Sequence, residues 1–230
     1  MRARVVFFDW GGTLFDLIGD PGSPGETWAR LAHELGVGDL SPPKVEEVLE
    51  RVDPVWSPRI YSYRGRTGEF FRQYHLRIMD ELGIRTGRQE LDRRLNQFFD
   101  DPQNQQPYPE VEEVLRTLRE QGLRLGVISN NHEGLSLQVR YHWLDRYLST
   151  VIYTQEVGAE KPDARVLGLA VRRAGCSAPE AVHVGNTLEA DYVGATRAGL
   201  RGIWLNRDGE LPPTPCEQVP DLRGVLGLLR

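Results

Sequence analysis

Val5-Val6-Phe7-Phe8-Asp9-Trp10-Gly11-Gly12-Thr13-Leu14-Phe15-Asp16 is the stretch on which the fold turns. Its first four residues are β-branched or aromatic and read as a short buried strand. The run stops at Asp9, and two glycines and a threonine follow almost at once. A parallel strand that ends in a carboxylate and a Gly-rich turn is the entrance to an α/β site, because ligands bind outside the carboxyl ends of such strands. Asp9 also suits a turn cap, with Gly11 and Gly12 bending the backbone. The rest of the chain has to decide between the two.

Downstream of Asp16 the character changes. Gly19 to Gly25 is rich in Gly and Pro and reads as a hinge. Helical spacing then appears over 26–36, 42–52, 67–82 and 88–99. Ser41 with Pro42 and Pro43 opens the second of these, and Gly36, Gly83 and Gly87 punctuate the breaks. Between them, 53–65 is irregular and rich in Arg and aromatics. The polar stretch 100–109 is a Pro-rich return linker. From 110 onward helix and strand alternate. Helices are expected over 110–121, 133–142, 163–174 and in the tail at 221–229. Strands are expected over 123–128, 150–154, 181–185 and 201–205. Residues 186–191 read as a loop running into a helix that ends near Gly199. Alternation of this kind predicts an α/β fold, a parallel sheet with helices on both faces, to which the first strand also belongs.

Bulk properties narrow the class. The 230 residues are 40% hydrophobic and 27% charged, enough for one large domain or a core carrying an insert. Net charge is −5 with the two signs interspersed, so no basic tract points to nucleic acid or to a membrane surface. Residues 1–8 do not read as a signal peptide, and no apolar run approaches a membrane span. Cys176 and Cys216 form no zinc spacing and call for no disulfide, which fits a cytoplasmic protein. Of the 28 basic residues only Lys44 and Lys161 are lysines.

Four polar clusters follow strands: Asp9 to Thr13, Ser129-Asn130, Lys161 after its loop, and Asn186 to Asp191. In a parallel sheet these ends share one edge, so the clusters are expected to converge. Each has an ordinary alternative. Ser129 and Asn130 suit a helix entry, Lys161 a solvated charge, Asp191 a cap or a partner of Arg197, and Asn186 a turn. In a chain that otherwise uses Arg, a lysine before a helix suggests a need for a compact point charge. Together the clusters suit a phosphoryl group and a hard cation. A carboxylate can attack phosphorus, N–H groups and hydroxyls bind the oxyanion, lysine offsets charge, and Mg²⁺ accepts oxygens.

The segments FFDWGGTLFD, GVISNN, EVGAEKPDARV and HVGNTLEADYVGA, in that order, resemble the motifs of the haloacid dehalogenase (HAD) superfamily, in the branch with a helical cap inserted after the first motif. The resemblance implies a Rossmann-like three-layer core formed by 1–16 and 104–230, with an all-helical cap over 17–103. It implies Asp9 as nucleophile, and Ser129, Asn130, Gly12 and Lys161 as the phosphate-binding groups. It implies Mg²⁺ held by Asp9, the Gly11 carbonyl, Asn186 and Asp191. Arg59, Arg64 and Arg66 of the cap are candidates for holding a small anionic, phosphorylated substrate, and the protein is expected as a monomer or homodimer.

Two positions depart from the family pattern. Family phosphatases carry a second Asp two residues after the nucleophile, which protonates the leaving group and activates water; here that residue is Gly11. The first Asp of the fourth motif is Asn186, which offers a carbonyl oxygen without charge. Loss of a general acid–base costs about 10²–10⁴ in rate, so a phosphatase of low or narrow activity is expected. A dehalogenase- or phosphonatase-like hydrolase and a non-catalytic member that binds a phosphorylated ligand are the alternatives. The phosphonatase reading would use Lys44, the cap's only lysine.

Overall fold

In the computed structural model the strand at the head of the chain is β1 (Val5–Phe8), and all four of its side chains are buried. The structure describes residues 3–17, 23–63, 66–209 and 215–229. The strands that join β1 in one sheet are β4 (Arg124–Ser129), β5 (Leu148–Tyr153), β6 (Ala181–Gly185), β7 (Arg201–Leu205) and β8 (Gln218–Val219). Their order is β5-β4-β1-β6-β7-β8, and every neighbouring pair is parallel. β1 lies centrally, with Phe8 opposite Val127 on one side and Val184 on the other. Asp9, Asn130 and Asn186 therefore leave neighbouring strands at the same edge.

Both faces of the sheet are covered. Val6 and Phe8 point into a core shared with α5 (Val111–Glu120) and α6 (Leu135–Tyr141), which α10 (Arg223–Leu228) joins through Val225. Val5 and Phe7 point the other way, onto α8 (Ala164–Arg173) and the single turn α9 (Gly194–Arg197). This period-two division on a strand with no polar side explains why β1 reads as a continuous apolar run. Gly126 on β4 has a packing reason: a Cβ there would lie 2.8 Å from both the Phe7 ring and the Thr150 carbonyl.

The chain divides into two packing units, Met1–Asp16 with Pro107–Arg230, and Leu17–Gln106. The second is built from α1 (Pro24–Glu34), α2 (Pro42–Trp56), a 3₁₀ segment (Ser57–Tyr63), α3 (Thr67–Glu81) and α4 (Arg88–Asp100). Its own core contains Trp28, Leu31, Val48, Ile78, Leu91 and Leu95. Ser23 caps α1 through a reciprocal bond pair with Glu26. A two-stranded sheet pairs β2 (Phe15–Leu17) with β3 (Gln105–Pro107), where the chain passes between units. The return falls three residues later than the expected 103/104, because β3 is too short and polar to read as a strand.

Other differences are small. Helix α8 begins one residue later than expected, because Asp163 is its cap, accepting from Arg165 N at 2.9 Å. β5 is followed by a single turn, α7 (Thr154–Val157), before the loop to Lys161. Residues 188–193, expected as loop entering helix, form a π-helical turn. Among the described residues no helix is long and apolar enough to cross a membrane. Cys176 and Cys216 are both free.

Candidate active site

Asp9 sits one residue beyond β1, and its N–H continues the pairing by donating to Val184 O at 2.9 Å. Its side chain meets Lys161, whose Nζ donates to Asp9 Oδ1 at 2.7 Å and to Asp191 Oδ1 at 2.6 Å. Lys161 is 2% exposed and Asp9 8%. Asn130, at the end of β4, fixes the lysine backbone on both sides: its Oδ1 accepts from Lys161 N at 2.9 Å and its Nδ2 donates to Lys161 O at 3.3 Å. Neither Ser129 nor Asn130 caps a helix, since α6 begins at Leu135. Ser129 is buried as the last residue of β4.

Asp191 is held from three directions. Besides Lys161, Nε2 of the fully buried His183 donates to its Oδ1 at 3.0 Å, and Thr187 N donates to its Oδ2 at 2.9 Å. The ionised carboxylate is acceptor-only, so His183 carries its proton on Nε2; its Nδ1 has no partner among the described residues. Gly185 is required beneath this carboxylate, because a Cβ there would lie 2.2 Å from Asp191 Cγ. Arg197 pairs with Glu189 at 2.8 Å rather than with Asp191.

The two carboxylates differ in character. Burial pushes the Asp9 carboxyl above the ordinary range, and the Asp191 charge adds to this while the Lys161 ammonium opposes it. Burial would raise Asp191 too, but the Lys161 ammonium and the hydrogen bond from His183 outweigh it and hold that carboxyl well below the usual range. Burial works against the charged Lys161, yet its two carboxylate partners lift it above the ordinary lysine value. One ammonium between two carboxylates leaves a negative charge in excess. Asp9 is the partner that takes a proton more readily.

Asn186 and the first turn interlock. Thr13 Oγ1 donates to Asn186 Oδ1 at 3.2 Å and accepts from Asn186 N at 3.1 Å. Trp204 Nε1 donates to Asn186 O at 2.9 Å. Gly12 has φ +72°, and a Cβ on it would lie 2.3 Å from Asn186 Nδ2. Gly11 is exposed, outside the left-handed region, and a Cβ there meets nothing within 4 Å.

The expected convergence thus gathers Asp9, Gly12, Thr13, Asn130, Lys161, Asn186 and Asp191 at one edge of one unit. Arg59 and Arg66 belong to the other unit. Arg59 lies over the Trp56 ring at 4.7 Å, and Arg66 is ion-paired with Glu69 at 2.9 Å. Arg64 lies outside the described residues. Lys44 is exposed on α2. Sequence reasoning missed His183, Trp204 and Arg207, whose Nη2 donates to Thr13 O at 3.1 Å. His183 had a usable signal, a lone polar side chain at an alternating position of an otherwise apolar strand; Trp204 and Arg207 had none.

The donors at this edge fit a hard divalent cation in kind, being a carboxylate and an amide carbonyl. They are poor in charge: among the described residues no group of three or more His, Cys, Asp or Glu side chains gathers to hold a metal.

The sequence model of the haloacid dehalogenase-like hydrolases matches residues 3–199. The chain belongs to this family. Within the haloacid dehalogenase-like hydrolases, a glyceraldehyde 3-phosphate phosphatase from Methanothermobacter thermautotrophicus is 36% identical over 44% of this chain and 46% of its own length. The chain thus spans about half the length of that relative. A phosphoserine phosphatase from Thermus thermophilus is 31% identical over 73% of this chain and 66% of its own. The putative HAD-hydrolase YfnB from Bacillus subtilis, solved bound to magnesium, matches 100% of this chain and 99% of its own with a TM-score of 0.81. At 18% identity that likeness speaks for the fold alone.

Proposed function

We propose that the chain is a phosphohydrolase acting through an aspartyl-phosphate on Asp9, with low or narrow activity set by Gly11. The observation that carries this reading is the buried contact of Lys161 with Asp9 at 2.7 Å, at the carboxyl edge of the sheet. The partial matches to two phosphatases support the substrate class. A carboxylate oxygen of Asp9 attacks phosphorus, the bond to the leaving oxygen breaks, and water then cleaves the acyl phosphate. Lys161 offsets the negative charge that phosphate brings to a site already carrying an excess of it. Ser129, Asn130 and Gly12 flank the phosphate, and Asn130 acts by fixing Lys161 in place.

Mg²⁺ would be held by the Asp9 carboxylate, the Gly11 carbonyl and the Asn186 carbonyl, with Asp191 beside it. When bound it would draw charge from the phosphoryl oxygens. The inserted helical unit is the cap, and its Arg59, Arg64 and Arg66 are the candidates for holding the rest of a small anionic substrate in a cytoplasmic setting. No side chain at position 11 can protonate the leaving oxygen, so substrates whose leaving groups need no proton are favoured: aryl and acyl phosphates over alkyl phosphates.

The test is a leaving-group series assayed with Mg²⁺ on the wild-type chain and on Asp9→Asn. Turnover that falls steeply as the leaving group becomes more basic, and that vanishes in Asp9→Asn, is the expected result. Turnover that survives Asp9→Asn would remove the nucleophile and with it the reading.

A further inference from the structure

Arg207 lies beyond the carboxyl end of β7, outside every motif that suggested the site. Its guanidinium reaches back to the nucleophile turn, where Nη2 donates to Thr13 O at 3.1 Å and Nε to Gly12 O at 3.4 Å. The same group is ion-paired with Glu110 at 2.8 Å and stands 3.7 Å from the centre of the Tyr108 ring. Tyr108 is bound to the turn as well: its N–H donates to Leu14 O at 3.0 Å, and its hydroxyl bonds the Asp16 side chain.

The turn does not brace itself on that side. Its own N–H groups go to two other acceptors: Trp10 O takes Thr13, Leu14 and Phe15 at 3.3, 2.9 and 3.0 Å, and Phe15 O takes Gly12 at 2.8 Å. The Gly12 and Thr13 carbonyls face Arg207 instead. Gly12 is the conformationally free residue of the turn, and Thr13 is the hydroxyl that locks Asn186. A planar fork stacked on an aromatic ring can hold two carbonyls at fixed spacing; a lysine ammonium cannot.

We propose that Arg207 is a positioning residue for the nucleophile turn, holding the Gly12 and Thr13 carbonyls so that Asp9 and the Thr13–Asn186 lock keep their places. It deepens the phosphohydrolase reading and rests on it. Nucleophilic attack is sensitive to placement, and an error of about 1 Å can cost about 10²-fold in rate.

Three full-length chains test this: wild type, Arg207→Lys and Arg146→Lys. Arg207→Lys keeps a cation beside buried Glu110 but loses the fork. It should lower kcat on an aryl phosphate by about 10- to 100-fold with little change in KM. Amides of residues 10–16 should exchange with deuterium faster, while those of β6 keep their wild-type rates. Arg146→Lys removes a fork that stands over the Tyr147 ring and pairs with Glu112, away from the turn, and should keep kcat near wild type. Wild-type kcat and exchange in Arg207→Lys would overturn the proposal. So would a rate loss of equal size in Arg146→Lys, or exchange that quickens through β6 as well. If the wild type shows no Asp9-dependent turnover, the phosphohydrolase reading falls. The exchange of residues 10–16 then decides the brace alone, and an unchanged rate there overturns it.

Discussion

A β-carbon on Gly11 meets no atom within 4 Å, whereas one on Gly12 would run into the Asn186 amide. The two glycines look alike in the sequence and are held by different constraints. Gly12 is needed for its positive φ and for the close approach of Asn186. Gly11 is open, so Gly11→Asp adds its β-carbon without a clash. If a missing proton donor limits the rate, that variant should raise alkyl phosphate turnover by about 10²–10⁴-fold and aryl phosphate turnover far less. An equal or absent gain on both would mean that position 11 does not face the leaving oxygen. The buried carboxylates give opposite stability predictions. Asp191 has a lowered folded pKa, so its contribution is complete above the ordinary carboxylate range and is lost as pH falls below it. Asp191→Asn should therefore lose about 3–5 kcal/mol in urea unfolding at neutral pH, with a flatter acid limb than wild type. Asp9 has a raised folded pKa, so its ionised form opposes folding as pH rises through that value. Asp9→Asn should raise the neutral-pH urea midpoint while abolishing turnover; a lowered midpoint would contradict the burial cost assigned to Asp9. Asp9 and Lys161 were legible because each interrupts a pattern, a carboxylate ending an apolar run and one of two lysines among many arginines; Asp191 gained its role only through the resemblance of its segment to the family's fourth motif. Arg207 was not legible for the same reason inverted, since one more arginine in this chain carries no signal.

At the scale of elements, periodicity identified what buries a face and missed what does not. Helix α5 places Val111, Val114, Leu115 and Leu118 on one buried face, and its spacing alone predicted it within a residue at each end. Leu115→Ala should cost about 2–5 kcal/mol, read as a shift in the urea midpoint with an unchanged slope. Strands β1, β6 and β7 were equally readable as short apolar runs. The two-residue β8 and three-residue β3 are too short to carry a period. The π-helical turn at 188–193 is closed at its start by a reciprocal pair between Thr187 and Asp191, which apolar periodicity does not register. Asp191 N donates to Thr187 O at 2.8 Å while Thr187 N returns to the Asp191 carboxylate, turning that side chain toward Lys161. The carboxylate so held is the one that meets Lys161, 30 residues away.

For the whole molecule, the sequence showed that a helical segment interrupts an α/β chain, because the apolar period changes from strand-like to helical after Asp16 and back after 110. The consequence is two cores with no shared members: one built on the faces of the sheet, and one around Trp28, Ile78 and Leu91. Stability in such a chain need not be uniform, since separately packed units open with their own free energies. Leu91 is fully buried within the inserted unit. Leu91→Ala should destabilise that unit by about 2–5 kcal/mol. Amides of α1 to α4 should then exchange faster, while those of β1, β4 and β6 keep their wild-type protection. The reciprocal variant, Val127→Ala in the sheet, should leave the helical unit protected. If either substitution lowers protection equally in both units, the chain unfolds as one cooperative body, and the insert draws its stability from the sheet rather than from its own core.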